Sequence, residues 1–216
     1  MIQNIVLDMG NVLLYYDPEV PLDFFCESEA SKNVIRKELF EGPEWAMGDR
    51  GDISDRDRYD LVKVRVPGKY HEELKRCVDG WDICMTVVPG AREFCKKMRK
   101  AGKKLYVLSN ASDRFYDYFT RFLPLDYFDG VVVSADVRIV KPDPGIYQYL
   151  LDTYTLNPEE CLFIDDREDN VEGARQVGMQ AIQFQDDFGV IEELVASEKY
   201  ERNGFPWWEH NSEQDK

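Results

Sequence analysis

Five short apolar segments recur along the chain, and they restrict its fold more than any other feature of the sequence. They are IVL before Asp8, KLYVL before Ser109, GVVVS around Val132, CLFI before Asp165 and QAIQF around Ile182. Each segment is a continuous apolar run without polar alternation, which is typical of strands that are buried on both faces. Strands of that kind occur in parallel sheets covered by helices on both sides. The sequence therefore predicts a parallel sheet.

Helical patterns lie between several of these strands, at residues 91–101, 145–154 and 171–177. Proline stands near the first two starts, and glycine follows the first and third ends, as is usual at helix boundaries. The order strand, helix, strand implies right-handed crossover connections. We therefore expect an α/β fold with a doubly wound, mostly parallel, Rossmann-like sheet.

Residues 17–81 interrupt this alternation. The segment contains amphipathic helical patterns such as SKNVIRKELF, and SDRDRYDLVKV opens with Ser54 and Asp57 in an arrangement like a capping box. We expect a helical cap inserted after the first strand, a core formed by residues 1–16 and 82–203, and a C-terminal tail at residues 204–216. The tail is polar apart from Phe205, Trp207 and Trp208, and it is expected to be loosely ordered.

Length and composition restrict the class of protein. The 216 residues are enough for one α/β domain with a modest insertion, and the formal net charge of -15 argues against nucleic acid and anionic membranes as partners. The five cysteines contain no C-x-x-C pair, and there are only two histidines, so we expect reduced thiols and no zinc site. Neither a secretory signal nor a membrane-spanning run is apparent, so a cytoplasmic location is expected.

Four polar clusters follow the predicted strands or lie between them. They are DMGNV at residues 8–12, Ser109-Asn110, Lys141-Pro142, and Asp165-Asp166 with Asn170 shortly after. Because ligands bind at the carboxyl ends of the strands in an open α/β sheet, we expect the clusters to converge on one crevice. Three carboxylates, a hydroxyl, two asparagines and an ammonium group suit a hard cation beside a phosphate. Asp8, the Gly10 carbonyl and Asp166 can supply the protein ligands of Mg²⁺, with Lys141 facing the phosphate.

The ordered set of clusters resembles the haloacid dehalogenase-like superfamily across nearly the whole chain. It is most similar to the branch with a D-x-G-N-V first motif, which includes sugar-phosphate phosphatases and relatives of the epoxide hydrolase N-terminal domain. The resemblance implies that Asp8 is a nucleophile whose aspartyl-phosphate is hydrolysed by water. It also implies that Lys141 neutralises the phosphate charge, that Asp166 is a direct Mg²⁺ ligand and that Asp165 lies in the outer sphere.

The same resemblance assigns the phosphate-binding groups and the substrate class. Ser109, Asn110 and the backbone amides around Asn11 are expected to hold the phosphate oxygens. The implied function is a magnesium-dependent phosphatase for a small phosphorylated metabolite, with a sugar phosphate as the first choice. The cap would select the substrate and exclude water. Its candidate contact residues are Phe24, Phe25, Trp45, Met47 and Arg50.

One position departs from the family pattern. Most of these phosphatases carry a second aspartate, a general acid and base, two residues after the nucleophile, where this chain has Gly10. Losing such a group typically lowers the rate by roughly 10²–10⁴-fold. The leaving group could depart unaided, the insertion could supply the acid (Asp17 is the nearest spare carboxylate), or the protein could be a catalytically impaired binding protein. A metal-independent haloacid dehalogenase is a further alternative, which the Asp165-Asp166 pair disfavours.

Overall fold

The computed structural model describes residues 1–197, and its centre is a five-stranded sheet. The strands are β1 (Asn4–Leu7), β2 (Leu14–Tyr15), β3 (Thr86–Val87), β4 (Lys104–Ser109), β5 (Gly130–Val133), β6 (Cys161–Asp165) and β7 (Gln180–Gln183). The central sheet has the order β5-β4-β1-β6-β7, and every pairing in it is parallel. All five apolar runs are strands of this sheet, so the predicted fold class is confirmed.

Helices cover both faces of the sheet. They are α1 (Glu19–Phe25), α2 (Glu29–Ile35), α3 (Pro43–Asp49), α4 (Arg58–Val62), α5 (His71–Gly80), α6 (Ala91–Lys100), α7 (Phe115–Phe122), α8 (Ser134–Val137), α9 (Pro144–Tyr154), α10 (Glu168–Gln176) and α11 (Phe188–Ala196). The predictions for α6 and α9 agree within one residue. Helix α10 begins three residues earlier than predicted. The apolar pattern did not reveal its first turn, because that turn is acidic. Glu168 and Asp169 lie there, where the helix dipole favours negative charge.

The core lies on both faces of the sheet. Along β1, Ile5 and Leu7 belong to one hydrophobic cluster, whereas Val6 belongs to the cluster on the opposite face. All three side chains are fully buried. Successive residues of a strand point to opposite faces, so this burial pattern requires helices on each side. It explains why the strand sequences show no alternation.

Helices α1 to α5 of the insertion lie between β2 and β3, which pair antiparallel as a two-stranded stem. The insertion has a small hydrophobic core of its own, which includes Leu22, Ile35 and Leu74. The stem was not predicted, because two residues per strand are too few to form a recognisable pattern. The amide of Asp57 does bond to Ser54 Oγ, at 3.3 Å, but the bond closes a turn and α4 starts only at Arg58.

The remaining predictions concern the cysteines, membrane-spanning segments and the C-terminal tail. All five cysteines are free, although Cys26 Sγ and Cys77 Sγ lie 3.9 Å apart. Within residues 1–197, no helix is long and apolar enough to cross a membrane. The predicted tail, with Trp207 and Trp208, lies outside the described residues.

Candidate active site

Asp8 immediately follows β1 at the carboxyl edge of the sheet. Its backbone amide bonds to the carbonyl of Ile164 on β6, at 2.9 Å, which fixes the residue between two strands. Oδ1 accepts from the Met9 amide and pairs with Lys141 Nζ, each at 2.7 Å. Oδ2 makes no hydrogen bond with any residue among 1–197. Asp8 therefore presents one unengaged carboxylate oxygen.

Burial raises the pKa of Asp8 from its ordinary value of 3.8 to about 7. The nearby Lys141 lowers this pKa, whereas the negative charges of Asp165 and Asp166 raise it. Desolvation and like charges both favour the neutral acid, and together they outweigh the ammonium group. Asp8 accordingly needs additional positive charge nearby to be fully ionised near neutral pH.

Lys141 is buried at the centre of the polar clusters. Its Nζ atom lies 2.7 Å from Asp8 Oδ1, 2.7 Å from Asp165 Oδ2 and 2.9 Å from the Leu108 carbonyl. Burial lowers the pKa of the ammonium group, but the two carboxylates outweigh this effect and the net pKa is raised. Lys141 therefore stays charged and links the ends of β1, β4 and β6.

Asn110 holds the backbone of Lys141 in place. Its Nδ2 donates to the Lys141 carbonyl at 2.9 Å, and its Oδ1 accepts from the Lys141 amide at 2.8 Å. This pair of bonds joins the segment after β4 to the segment before α9. Asn110 therefore positions Lys141. It also lines the cavity described below, and its contact with phosphate stays a prediction.

The two aspartates at the end of β6 have different surroundings. Asp165 is fully buried, and its oxygens accept from the Arg167 amide (2.9 Å), from Asn170 Nδ2 (2.9 and 3.0 Å) and from Lys141. Asp166 is half-buried, and among residues 1–197 only one of its carboxylate oxygens is bonded, to Asn11 Nδ2 at 3.1 Å. Burial raises the pKa of Asp166. Asp166 therefore has a carboxylate oxygen available for a cation, whereas both oxygens of Asp165 are engaged, and the predicted direct and outer positions stay predictions.

The donor set fits a hard divalent cation. Oxygens of Asp8, Asp165 and Asp166 all lie within 4.8 Å of one another. When ionised, the three carboxylates carry three negative charges against the one positive charge of Lys141, so a divalent cation would balance the cluster. Mg²⁺ prefers one or two carboxylates with other oxygen ligands and several waters. Asp8, Asp166 and the Gly10 carbonyl can provide that set.

Of the residues predicted to bind phosphate, Asn11 and Asn110 line the cavity described below, whereas Ser109 does not. Ser109 ends β4 with 1% exposure, and its Oγ has no hydrogen-bond partner among residues 1–197. Asn11 adopts the left-handed conformation (φ 54°), and its amide donates to the Leu14 carbonyl at 2.8 Å. The Asn11 amide is thus already engaged. The amide of Gly10 makes no hydrogen bond with a described residue, so it is the more available donor of this turn.

A cavity of about 220 Å³ lies beside Asp8, Lys141 and Asp166. Its lining contains Asp8, Gly10, Asn11, Asn110, Lys141 and Asp166. The same lining also contains the aromatic residues Tyr16, Trp45, Trp81 and Tyr118 and the charged residues Asp49 and Arg58. The ring centroids of Trp45 and Trp81 are 5.2 Å apart, in an edge-to-face arrangement.

Of the five cap residues expected to contact a ligand, only Trp45 lines this cavity. Phe24, for example, is 73% exposed on the outside of the insertion. Asp17 is also exposed and lies outside the cavity, where its carboxylate accepts the amide of Glu19 at 2.9 Å. Asp49 and Arg58 were missed because no local pattern in the sequence distinguishes them from the other charged residues of the insertion.

Several known proteins are similar to this chain in sequence. A family model for haloacid dehalogenase-like hydrolases matches residues 2–178. A sesquiterpene phosphatase of Aspergillus oryzae is 25% identical over 192 residues, covering 88% of this chain and 93% of the relative. Acyl-CoA dehydrogenase family member 10 of Mus musculus is 40% identical over 205 residues, which cover 89% of this chain but only 19% of that protein.

A solved structure gives the same picture of the fold. It is a HAD family enzyme of Bacteroides thetaiotaomicron in complex with magnesium and inorganic phosphate. The two chains superimpose with a TM-score of 0.69 at 20% sequence identity, covering 88% of this chain and 99% of the other. At this level of identity the similarity concerns the fold.

Proposed function

The chain belongs to the haloacid dehalogenase-like hydrolase family, and we propose that it is a magnesium-dependent phosphatase that acts on a small phosphorylated metabolite. The observation that carries the proposal is the unengaged Oδ2 of Asp8 at the polar end of the cavity. Beside it lie a buried lysine and two further carboxylates, as phosphoryl transfer beside a divalent cation requires.

In the proposed reaction, Asp8 Oδ2 attacks the phosphorus atom and the bond to the leaving oxygen breaks. Water then attacks the aspartyl-phosphate, releases inorganic phosphate and restores the carboxylate. Lys141 keeps Asp8 oriented through Oδ1 and offsets negative charge as the phosphate approaches. Ser109 Oγ and the Gly10 amide are the donors for the phosphate oxygens. Bound Mg²⁺, held by Asp8, Asp166 and the Gly10 carbonyl, would supply the remaining positive charge.

The aromatic residues of the cavity bear on the substrate. Tyr16, Trp45, Trp81 and Tyr118 line the same cavity as the polar cluster. Such rings suit the apolar face of a sugar or a hydrocarbon group. A sugar phosphate is our first choice, and the phosphate of an apolar alcohol is the second, because one relative is a sesquiterpene phosphatase.

Two other functions remain to be tested against this proposal. A metal-independent dehalogenase needs a carboxylate nucleophile but not an adjacent acidic pair, so the Asp165-Asp166 arrangement favours phosphoryl transfer. A binding protein without turnover is supported only by the glycine at position 10. A metal-independent dehalogenase also leaves unexplained the net charge of -2 that Asp8, Asp165, Asp166 and Lys141 carry together when the carboxylates are ionised.

The test is phosphate release from a panel of sugar phosphates, apolar alcohol phosphates, nucleotides and a generic aryl phosphate, with magnesium or with a chelator. The expected result is magnesium-dependent turnover that Asp8→Asn abolishes. Asp17→Asn is the matched control, because its carboxylate is exposed outside the cavity. Halide release from 2-haloacids in the presence of chelator would instead identify a dehalogenase, and binding of phosphate mimics without turnover a binding protein.

A further inference from the structure

Asp49 is the third carboxylate of the cavity lining, beside Asp8 and Asp166, and no sequence motif points to it. It is the last residue of α3, and its side chain lines the same cavity as Asp8 and Asp166. The carboxylate forms no hydrogen bond or ion pair with any residue of the described range, 1–197. It is therefore available to a bound molecule, in a site where position 10 carries no acid.

The backbone of Asp49 is held against the catalytic edge of the sheet. Its carbonyl accepts a hydrogen bond from Ser134 Oγ, directly after β5. Gly51, two residues on, has φ 75°, and a Cβ there would overlap the carbonyl of Ala135. A Cβ on Gly48 would overlap the guanidinium of Arg58. The Gly51 approach and the hydrogen bond from Ser134 thus give Asp49 a defined position relative to the core, whereas the Gly48 contact joins two helices of the insertion.

The charged and titratable surroundings of Asp49 come from four parts of the chain. Burial raises the pKa of its carboxyl to about 6, Arg58 on α4 lowers it and Asp55 raises it. Burial raises the pKa values of Tyr16, after β2, and of Tyr118, on α7, and the negative charge of the nearby Asp49 raises them further. A group with a pKa close to the working pH can both donate and accept a proton.

Asp55, a nearby carboxylate of the insertion, is less available than Asp49 to donate or accept a proton. Its carboxylate is buried and pairs with Arg58 at 2.6 Å and with Arg114 at 3.1 Å. It also accepts a bond from Trp81 Nε1 at 3.4 Å. Asp55 is thus engaged by two arginines and does not line the cavity, whereas Asp49 does line it.

We propose that Asp49 is the general acid and base of the phosphatase reaction, supplied by the insertion in place of the carboxylate missing at Gly10. This inference rests on the function proposed above. As Asp8 Oδ2 bonds to phosphorus and the phosphorus–oxygen bond to the leaving group breaks, the protonated Asp49 carboxyl transfers its proton to the departing oxygen. The resulting carboxylate then removes a proton from the water that attacks the aspartyl-phosphate, which releases phosphate, restores the Asp8 carboxylate and regenerates the protonated Asp49.

The test compares Asp49→Asn with wild type on an alkyl phosphate and on p-nitrophenyl phosphate. An alkoxide is a poor leaving group and needs the proton, whereas p-nitrophenolate leaves without it. We expect kcat/KM on the alkyl phosphate to fall by roughly 10²–10⁴-fold, the usual contribution of a general acid, and to fall much less on the aryl phosphate. The matched controls are Asp52→Asn and Asp17→Asn, two exposed carboxylates outside the cavity, which should behave as wild type.

A second variant separates chemistry from misfolding. Gly10→Asp restores a carboxylate at the family position, where a Cβ meets only Asp8 Oδ2, at 4.0 Å. In the Asp49→Asn background it should recover alkyl phosphate turnover. The role of Asp49 would be overturned if Asp49→Asn lost activity equally on both substrates or lost none. It would also be overturned if Asp17→Asn, rather than Asp49→Asn, showed the dependence on the leaving group. Absence of turnover in wild type on the whole panel would remove the proposed function itself, which is a distinguishable result.

Discussion

Replacing Lys141 by methionine tests whether its ammonium group holds the acidic cluster together. The side chain is buried, and Nζ bonds to two carboxylates and the Leu108 carbonyl. Methionine keeps most of the volume but removes the charge and all three bonds. Asp8 and Asp165 would then face each other without a cation. The variant is therefore expected to be destabilised in the absence of added metal.

Breaking a buried ion pair by removing one partner costs about 3–5 kcal/mol. For a protein of this size, about 1 kcal/mol corresponds to a shift of roughly 2–4 °C in Tm, so we expect a loss of about 6–20 °C. Lys97→Met provides the control, because Lys97 is 63% exposed in a surface pair with Glu192. Such pairs contribute about 0–1 kcal/mol. The two lysines differ in burial rather than in chemistry.

The loss should also depend on pH. The pKa of Asp8 is about 7 in the folded protein and 3.8 for an ordinary aspartate. A raised pKa means that the folded state binds the proton more tightly, so this contribution to stability is present below about 3.8 and is lost as pH rises through about 7. Lys141 lowers the pKa of Asp8, so its removal raises that pKa further. The gap between variant and wild type should therefore be smaller at pH 5 than at pH 8.

The measurement is the unfolding free energy from urea titrations at pH 5 and pH 8 in chelator, together with Tm, for wild type, Lys141→Met and Lys97→Met. A Lys141→Met loss no larger than that of Lys97→Met would refute the argument that the ammonium group balances buried charge. A loss that is larger at pH 5 than at pH 8 would refute the sign of the Asp8 contribution.

Three further predictions follow from the same contacts. Mg²⁺ affinity, measured by calorimetry, should be about 100-fold weaker at pH 5 than its limiting value at high pH, because Asp8 with a pKa of about 7 is then about 1% ionised. Gly130→Ala should cost about 1–3 kcal/mol in urea unfolding, because a Cβ there would overlap the Tyr154 ring, whose hydroxyl bonds to Val131. Asn110→Ala should lower phosphatase kcat by about 10–100-fold, because it releases the backbone of Lys141.

Each of these predictions has a control in the chain. Asp8→Asn should remove most of the pH dependence of Mg²⁺ binding, and an unchanged slope would show that another group takes up the proton. Gly68→Ala adds a methyl group in open space, so a loss equal to that of Gly130→Ala would contradict the steric argument. Wild-type kcat in Asn110→Ala would show that the other contacts of Lys141 suffice to position it.

The strands of the central sheet and the polar residues at their ends could be predicted from the sequence alone. Strands buried on both faces require continuous apolar runs, and β1, β4 and β6 each pass directly into a polar residue, at Asp8, Ser109 and Asp165. Because parallel strands end at the same edge, convergence of these residues follows from their local positions. The predicted cluster of Asp8, Asp165 and Asp166 is present for the same reason.

Only the tertiary structure determined which residues of the insertion line the cavity. Asp49 lines the cavity because Gly51 allows the chain after α3 to approach Ala135, and because Ser134 donates a hydrogen bond to the Asp49 carbonyl. Those partners lie more than 80 residues away along the chain, so no local periodicity reports them. The engagement of Asn110 with Lys141 is another contact of this kind, across 31 residues. Local patterns determine which segments form strands, whereas the docking of an insertion depends on close approaches that exist only after the chain has folded.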